Sequence, residues 1–150
     1  MDMEKIKILL VDDHQIFRDG IESLFSDVDD IEIIGVAGTG KEAIEKFKKE
    51  KADVVIMDIS MPGISGIEAV QYLKKAKKDI KVLILSMHTK EDFIFKAIRA
   101  GATGYLPKEE TNKEELLKAI RSIPQGNEYY SQSITDIMQA HFLNEAKNVR

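Results

Sequence analysis

The chain contains no cysteine, has only three prolines in its 150 residues and carries no long hydrophobic run. The absence of cysteine excludes disulfide bonds, thiolate nucleophiles and cysteine-ligated metal sites. No apolar run approaches the ~20 residues of a membrane span, and residues 1–5 lead into a strand-like segment, unlike a signal sequence. We therefore expect no membrane association and a cytoplasmic location.

Charge of either sign is dispersed along the chain. The net charge is −4 and the basic residues are not clustered, so these residues lack the electrostatic footprint of a DNA-binding domain. Hydrophobic residues make up 43% and charged residues 32%, the balance of a globular protein. A length of 150 residues predicts one domain with a short appendage, large enough to bury a hydrophobic core without staples.

Short apolar segments alternate with helical patterns. Nearly continuous apolar runs are typical of strands that are covered on both faces, as in a parallel sheet. The predicted strands are residues 6–11, 31–36, 54–57, 80–85 and 104–106. Five β-α repeats with right-handed crossovers predict an α/β fold, a doubly wound five-stranded parallel sheet with helices on both faces.

Helix ends also carry signals. Thr89 precedes Asp92 by three residues and Thr111 precedes Glu114 by three, which is the spacing of a capping box. Gly101 stands where a left-handed helix C-cap is expected.

Beyond residue 123 the pattern changes. Residues 124–128 are typical of a turn, and residues 133–144 predict an extra amphipathic C-terminal helix. This helix either packs on the domain or begins a linker to a further domain, and both can hold together.

Polar residues gather at the ends of the predicted strands. Asp12 and Asp13 follow the first strand, Asp58 the third and Lys108 the fifth, and Ser86 ends the fourth. In doubly wound sheets, ligands bind at the carboxyl ends of the strands, so these five residues predict one site.

Crowded carboxylates repel one another unless a cation joins them. Mg²⁺ prefers hard oxygen ligands and completes its coordination with phosphate oxygens. Lys108 and Ser86 would contact other phosphoryl oxygens, which leaves one carboxylate free to act as nucleophile and form an aspartyl-phosphate.

Each residue also has a simpler interpretation. Asp13 could cap the helix that begins near His14. Asp58 could initiate a loop, Ser86 could bond to the backbone, and Lys108 could be a solvated surface lysine. Their joint placement at matching strand ends favours the functional interpretation.

Four motifs resemble the response-regulator receiver family over residues 5–123. They are Leu10-Val11-Asp12-Asp13-His14, residues 57–63 (Met-Asp-Ile-Ser-Met-Pro-Gly) with Gly66, Leu85-Ser86-Met87-His88, and residues 101–108 (Gly-Ala-Thr-Gly-Tyr-Leu-Pro-Lys). The resemblance implies the flavodoxin-like strand order 2-1-3-4-5. It also implies that the chain is a signalling phosphoacceptor and not an enzyme, although it assists its own phosphoryl transfer and dephosphorylation.

The resemblance implies roles for the acidic residues. Asp58 would be the phosphoacceptor. Asp13, Asp58 and the backbone carbonyl of Ser60 would bind Mg²⁺ directly, and Asp12 would act mainly through a bound water.

It implies further roles on the last two strands. Lys108 would contact a phosphoryl oxygen, Ser86 would be the switch hydroxyl, and Tyr105 would be the paired aromatic that changes its exposure. Ser60, Met87 and His88 occupy positions that tune the lifetime of the phosphate.

Two features depart from the family pattern. Pro107 precedes Lys108 and Glu109 follows it, whereas the family commonly has a cis proline after the lysine, so the geometry of this loop is open. Met87 stands where a small residue is common, and its length predicts slower exchange with small phosphodonors.

The branch resembled most is the NarL/LuxR type, on Asp12-Asp13-His14, residues 86–88 and residues 126–130. It implies a receiver in residues 1–123 and, in residues 124–150, a linker and helix that lead to a helix-turn-helix domain absent from this chain. A single-domain regulator is the alternative.

The branch also implies partners. They are a sensor histidine kinase, DNA through the absent output domain, and a second copy through the C-terminal helix or the face of helix 4, strand 5 and helix 5. Phe95 is a candidate contact on that face, or else an isolated exposed aromatic.

Three other protein classes fit the sequence less well. A haloacid-dehalogenase enzyme would need a second Asp two residues after its nucleophile, whereas Asp12 and Asp13 are adjacent. A degenerate receiver would have lost an acidic residue. A flavin- or nucleotide-binding domain would need a phosphate loop, which residues 35–40 do not match.

Overall fold

The computed structural model describes residues 4–148, which fold around one parallel sheet. Its strands are β1 (Ile6–Val11), β2 (Ile31–Ala37), β3 (Val54–Met57), β4 (Val82–Ser86), β5 (Gly104–Pro107) and β6 (Tyr129–Tyr130). They lie in the order β2-β1-β3-β4-β5-β6, and all neighbouring pairs are parallel. The predicted α/β class and the order 2-1-3-4-5 are confirmed, with one strand more than predicted.

Helices follow the strands on both faces of the sheet. In the described part of the chain they are α1 (Gln15–Phe25), α2 (Gly40–Lys49), α3 (Gly66–Ala76), α4 (Glu91–Ala100), α5 (Lys113–Ser122) and α6 (Gln132–Asn148). A short 3-10 turn, Ile123–Gln125, ends α5.

The sheet separates two hydrophobic cores because side chains alternate along a strand. In β1, Ile8 and Leu10 pack with α1 and α5, whereas Leu9 and Val11 pack with α2, α3 and α4. Both faces of the central strands are therefore covered, which accounts for their continuous apolar sequence.

The sixth strand corrects the five-stranded prediction. Tyr129 and Tyr130 pair with Gly104 and Tyr105, so β6 covers the edge of β5. Two residues are too few for a periodicity to be visible in the sequence, which is why the strand was missed.

The predicted capping boxes are wrong by one residue. The N-cap of α4 is Lys90, which makes no side-chain cap bond, and the N-cap of α5 is Asn112, whose side chain accepts from Glu115 N. A capping box does occur, unpredicted, between Ser65 and Glu68 at the start of α3. Gly101 has φ 115°, which confirms the left-handed C-cap.

The C-terminal helix is longer than the predicted 133–144 and packs on the domain. Ile134 is fully buried in the core beside α4 and β5. The ring of Phe95 in α4 lies against that of His141 in α6, with a centroid distance of 4.3 Å and a tilt of 38°, so the alternative of an isolated exposed Phe95 is wrong. Among residues 4–148, no helix is long and apolar enough to span a membrane.

Gly66 at the start of α3 allows the closest backbone approach beside the site. A Cβ at this position would lie 1.9 Å from the backbone oxygen of Asp58. Gly66 N also donates to the carbonyl of Ile59 at 2.8 Å, so the helix start is held against the loop that carries Asp58.

We predict that Gly66→Ala lowers the free energy of unfolding by about 2 kcal/mol or more, because overpacking forces the backbone apart. The matched control is Gly20→Ala in α1, where an added Cβ meets nothing within 4 Å. This control is expected to stabilise the protein by about 0.5–1 kcal/mol. Urea denaturation measures both changes, and a neutral Gly66→Ala would contradict the packing described.

Candidate functional site

The carboxyl edge of the sheet places the predicted residues by backbone hydrogen bonds that continue the strand ladder. Asp12 N donates to Ala37 O at 2.9 Å, and Asp58 N donates to Val11 O at 3.0 Å. Lys108 N donates to the carbonyl of Ser86 at 2.9 Å. The main chains of Asp12, Asp58 and Lys108 are therefore fixed to neighbouring strands.

Lys108 joins two buried carboxylates. Its Nζ lies 2.5 Å from Asp12 Oδ2 and 3.4 Å from Asp58 Oδ2. Asp12 and Asp58 are 1% and 4% exposed, and the Lys108 side chain is 8% exposed. The ring of Phe17 lies 4.3 Å from the same ammonium. The expectation of a solvated surface lysine is therefore wrong.

Asp13 and His14 stand at the open side of the cluster. The Asp13 side chain is 28% exposed and that of His14 is 67% exposed. His14 Nδ1 lies 3.1 Å from one oxygen each of Asp12 and Asp13. His14 is the N-cap of α1 and makes no side-chain cap bond, so Asp13 does not cap this helix.

These side chains offer ligand atoms close enough for one cation. One ligand atom from each of Asp12, Asp13, His14 and Asp58 lies within 4.8 Å of the others. Three carboxylates outnumber the one ammonium, and they supply the hard oxygen ligands that Mg²⁺ prefers. The residues present therefore fit such an ion. No role for His14 was predicted from the sequence, where its only signal is its position next to the acidic pair.

The Asp58 carboxylate is held by one backbone amide, because Ile59 N donates to its Oδ1 at 2.8 Å. Burial raises the pKa of Asp58 above its usual value, and the neighbouring Lys108 ammonium partly offsets this rise. The Asp12 carboxylate raises the pKa further. The charged form of Asp58 is thus destabilised in the protein without a metal.

Two loops meet above Asp58. Ser60 Oγ lies 2.5 Å from His88 Nε2, so the loop after β3 bonds to the loop after β4. The His88 ring also stacks on Phe93 of α4 at a centroid distance of 4.3 Å. Met87 between these elements is 54% exposed.

Ser86 and Tyr105 also form hydrogen bonds with the loop after β4. His88 N donates to Ser86 Oγ at 3.0 Å, and Tyr105 OH donates to His88 O at 2.5 Å. Tyr105 is fully buried, and burial raises the pKa of its phenol to about 12. The one loop therefore connects the site to α4.

The loop after β5 closes as a turn on the Pro107 carbonyl. Glu110 N and Thr111 N donate to this oxygen at 3.2 and 3.1 Å. No peptide bond among residues 4–148 is cis, so the bond between Lys108 and Glu109 is trans.

The sequence model of the response regulator receiver domain matches residues 8–121. The chain belongs to this family. Response regulator UvrY of Escherichia coli is 38% identical over 133 residues, which are 89% of this chain and 61% of that protein. Transcriptional regulatory protein DegU of Brevibacillus brevis is 36% identical, over 87% of this chain and 55% of its own length. The receiver thus spans less than two thirds of either relative.

A solved structure of a response regulator is also similar to this chain. The two-component response regulator of the LuxR family from Aurantimonas sp. SI85-9A1 has a TM-score of 0.88 and is 31% identical. The match covers 93% of this receiver and 99% of that chain. The resemblance to the NarL/LuxR-type branch is thereby confirmed.

The pKa shift of Asp58 predicts how stability depends on pH. Because the pKa is raised on folding, the folded state binds more protons and loses stability as the pH rises through the folded pKa. We therefore predict that Asp58→Asn raises the free energy of unfolding at pH 7 in EDTA. The gain shrinks as the pH falls below the ordinary pKa of an aspartate.

Asp30 provides the control of opposite sign. Arg121 donates to both carboxylate oxygens at 2.9 Å and holds the pKa of Asp30 below its usual value. Asp30→Asn should lower stability at pH 7, and this loss should fade in acid. Urea denaturation over a pH series measures both variants. A destabilised Asp58→Asn at pH 7 would refute the assignment of buried, unfavourable charge.

Proposed function

We propose that this receiver accepts a phosphoryl group on Asp58 from a sensor histidine kinase in a Mg²⁺-dependent reaction. The observation that carries the proposal is the cluster of Asp12, Asp58 and Lys108 at the carboxyl edge, where two buried carboxylates share one ammonium. No described feature favours a second function, because every acidic residue that a degenerate receiver loses is present.

The chemistry is displacement at phosphorus. A carboxylate oxygen of Asp58 forms the new O–P bond while the P–N bond to the kinase imidazole breaks, and the imidazole leaves. When bound, Mg²⁺ would neutralise charge on the transferred group. Asp13, Asp58 and the Ser60 carbonyl would hold it directly, and Asp12 through a water.

In this proposal Lys108 also stabilises the transferred phosphoryl group. Its ammonium already lies within 3.4 Å of Asp58, so it can pass from the carboxylate to an oxygen of the new phosphoryl group. An ammonium at this position stabilises the charge that accumulates during transfer. The Ile59 amide holds Asp58 Oδ1 in place meanwhile.

Output would follow from a change of partner at Ser86. The phosphoryl group adds about two negative charges at neutral pH, and the Ser86 hydroxyl turns towards it. Ser86 then releases His88 N, and Tyr105 adjusts its bond to the same residue, which shifts the loop before α4. The change is a population shift between two packings.

The proposed assembly extends beyond the receiver. Transcriptional regulation by DegU supports an output that acts on DNA through a domain outside residues 1–123 in the full-length protein. A second copy would dock on the face of α4, β5 and α5 or on α6, whose Phe142 and Leu143 are exposed. In this proposal the exchange would take place in the cytoplasm, where a histidine kinase finds its ATP.

The test is intact-protein mass spectrometry after incubation with phosphoramidate or acetyl phosphate and Mg²⁺. We expect one phosphoryl adduct on the wild type, none on Asp58→Ala and none with EDTA. The matched control, Asp79→Ala at an exposed loop position, should be labelled like the wild type. Labelling that persists in Asp58→Ala would contradict the assignment of the phosphoacceptor.

The same assay tests the steric effect of Met87. Its side chain stands on the loop above Asp58 and is half exposed. We expect Met87→Ala to be labelled faster by phosphoramidate, because a shorter side chain widens access. An unchanged rate of labelling would contradict this explanation.

A further inference from the structure

His14 is a member of the site to which no role has been given. Its ring lies at the mouth of the acidic cluster, with Nδ1 at 3.1 Å from Asp12 Oδ1 and at 3.1 Å from Asp13 Oδ1. The ring does not cap α1, and its side chain is two-thirds exposed, so neither a capping nor a core role explains its position.

The backbone holds His14 in this place. His14 N donates to Asp12 Oδ1 at 2.8 Å, which closes a tight turn between the two residues. Arg18, one turn into α1, donates from Nη1 to the Asp12 carbonyl at 3.0 Å. The loop that presents Asp12 and Asp13 therefore also presents the imidazole, before any ion arrives.

An imidazole nitrogen changes which cations such a site prefers. Mg²⁺ takes oxygen ligands and water, and gains little from a nitrogen. Mn²⁺, Co²⁺ and Zn²⁺ accept imidazole together with carboxylates. The neutral tautomer that carries its proton on Nε2 leaves the Nδ1 lone pair free for a metal.

We propose that His14 Nδ1 is a direct ligand when a transition-metal divalent cation such as Mn²⁺ occupies this site, which raises the affinity of the site for such cations while leaving its use of Mg²⁺ intact. The inference rests on the proposed metal site of Asp13, Asp58 and the Ser60 carbonyl and adds His14 as a fourth direct donor. One ligand atom from each of Asp12, Asp13, His14 and Asp58 already lies within 4.8 Å of the others.

The opposing account is that Nδ1–H donates hydrogen bonds to Asp12 and Asp13 and leaves when an ion binds. In that case His14 contributes nothing to metal selection. The two accounts differ in whether a nitrogen is bound to the metal, which can be observed without any phosphoryl transfer.

The experiment is pulsed electron paramagnetic resonance on Mn²⁺ bound to the whole chain. We expect ¹⁴N modulation from a bound imidazole, lost in His14→Gln and retained in His141→Gln, a control on α6 outside the cluster. Wild-type protein labelled with ¹⁵N in its histidines should replace the ¹⁴N signal, which tests ligation without a substitution.

Affinities measured by competition complete the test. Because imidazole is lost, we expect His14→Gln to weaken Mn²⁺ binding by about tenfold or more, as for other losses around a metal site. Binding of Mg²⁺ should change by less than about twofold, since oxygen ligands dominate for this ion.

The outcomes separate the inference from the proposed function. Mn²⁺ that binds the wild type without nitrogen modulation, or equal losses for Mn²⁺ and Mg²⁺ in His14→Gln, would overturn the role of His14 and leave the carboxylate site intact. Failure of both ions to bind the wild type would overturn the site itself.

Discussion

The contact between Lys108 and the carboxylates of Asp12 and Asp58 is the interaction on which the rest of the site depends. One ammonium faces two buried carboxylates, and the Asp13 carboxylate lies close by. The strand ends therefore carry more negative than positive charge. Burial raises the energetic cost of this excess negative charge, because a charged group without a partner is costly away from water. We propose that a cation, and then a phosphoryl group held by that cation, would give the carboxylates and the ammonium better partners.

The parallel sheet makes this concentration of charge possible. Asp12, Asp58 and Lys108 each directly follow a strand, and each is fixed by a backbone hydrogen bond to a neighbouring strand. Gly66 lets α3 begin against the carbonyl of Asp58, and His88 joins Ser60, Ser86 and Tyr105 into one loop contact. In the proposed function, a change of charge at Asp58 would reach α4 through these existing hydrogen bonds.

Much of this arrangement could be predicted from the sequence, because parallel strands bring their carboxyl ends to one edge. The convergence of Asp12, Asp58 and Lys108 follows from that rule alone. The position of the His14 ring does not, since the side chain has several rotamers, and its contacts with Asp12 and Asp13 select one of them. The strand at residues 129–130 was missed because two residues are too short for a pattern. The cap at Asn112 was missed because the neighbouring Thr111 offers an equally good capping hydroxyl.

The most direct test of the charge imbalance is a calorimetric titration of Mg²⁺ into the wild type and Lys108→Met at pH 7. If Lys108 is the competing cation between Asp12 and Asp58, its removal leaves those carboxylates without a partner, and Mg²⁺ should bind more tightly. Lys113→Met, which removes an exposed pair with Asp27, should leave the affinity unchanged. Equal or weaker binding of Mg²⁺ to Lys108→Met would contradict the account.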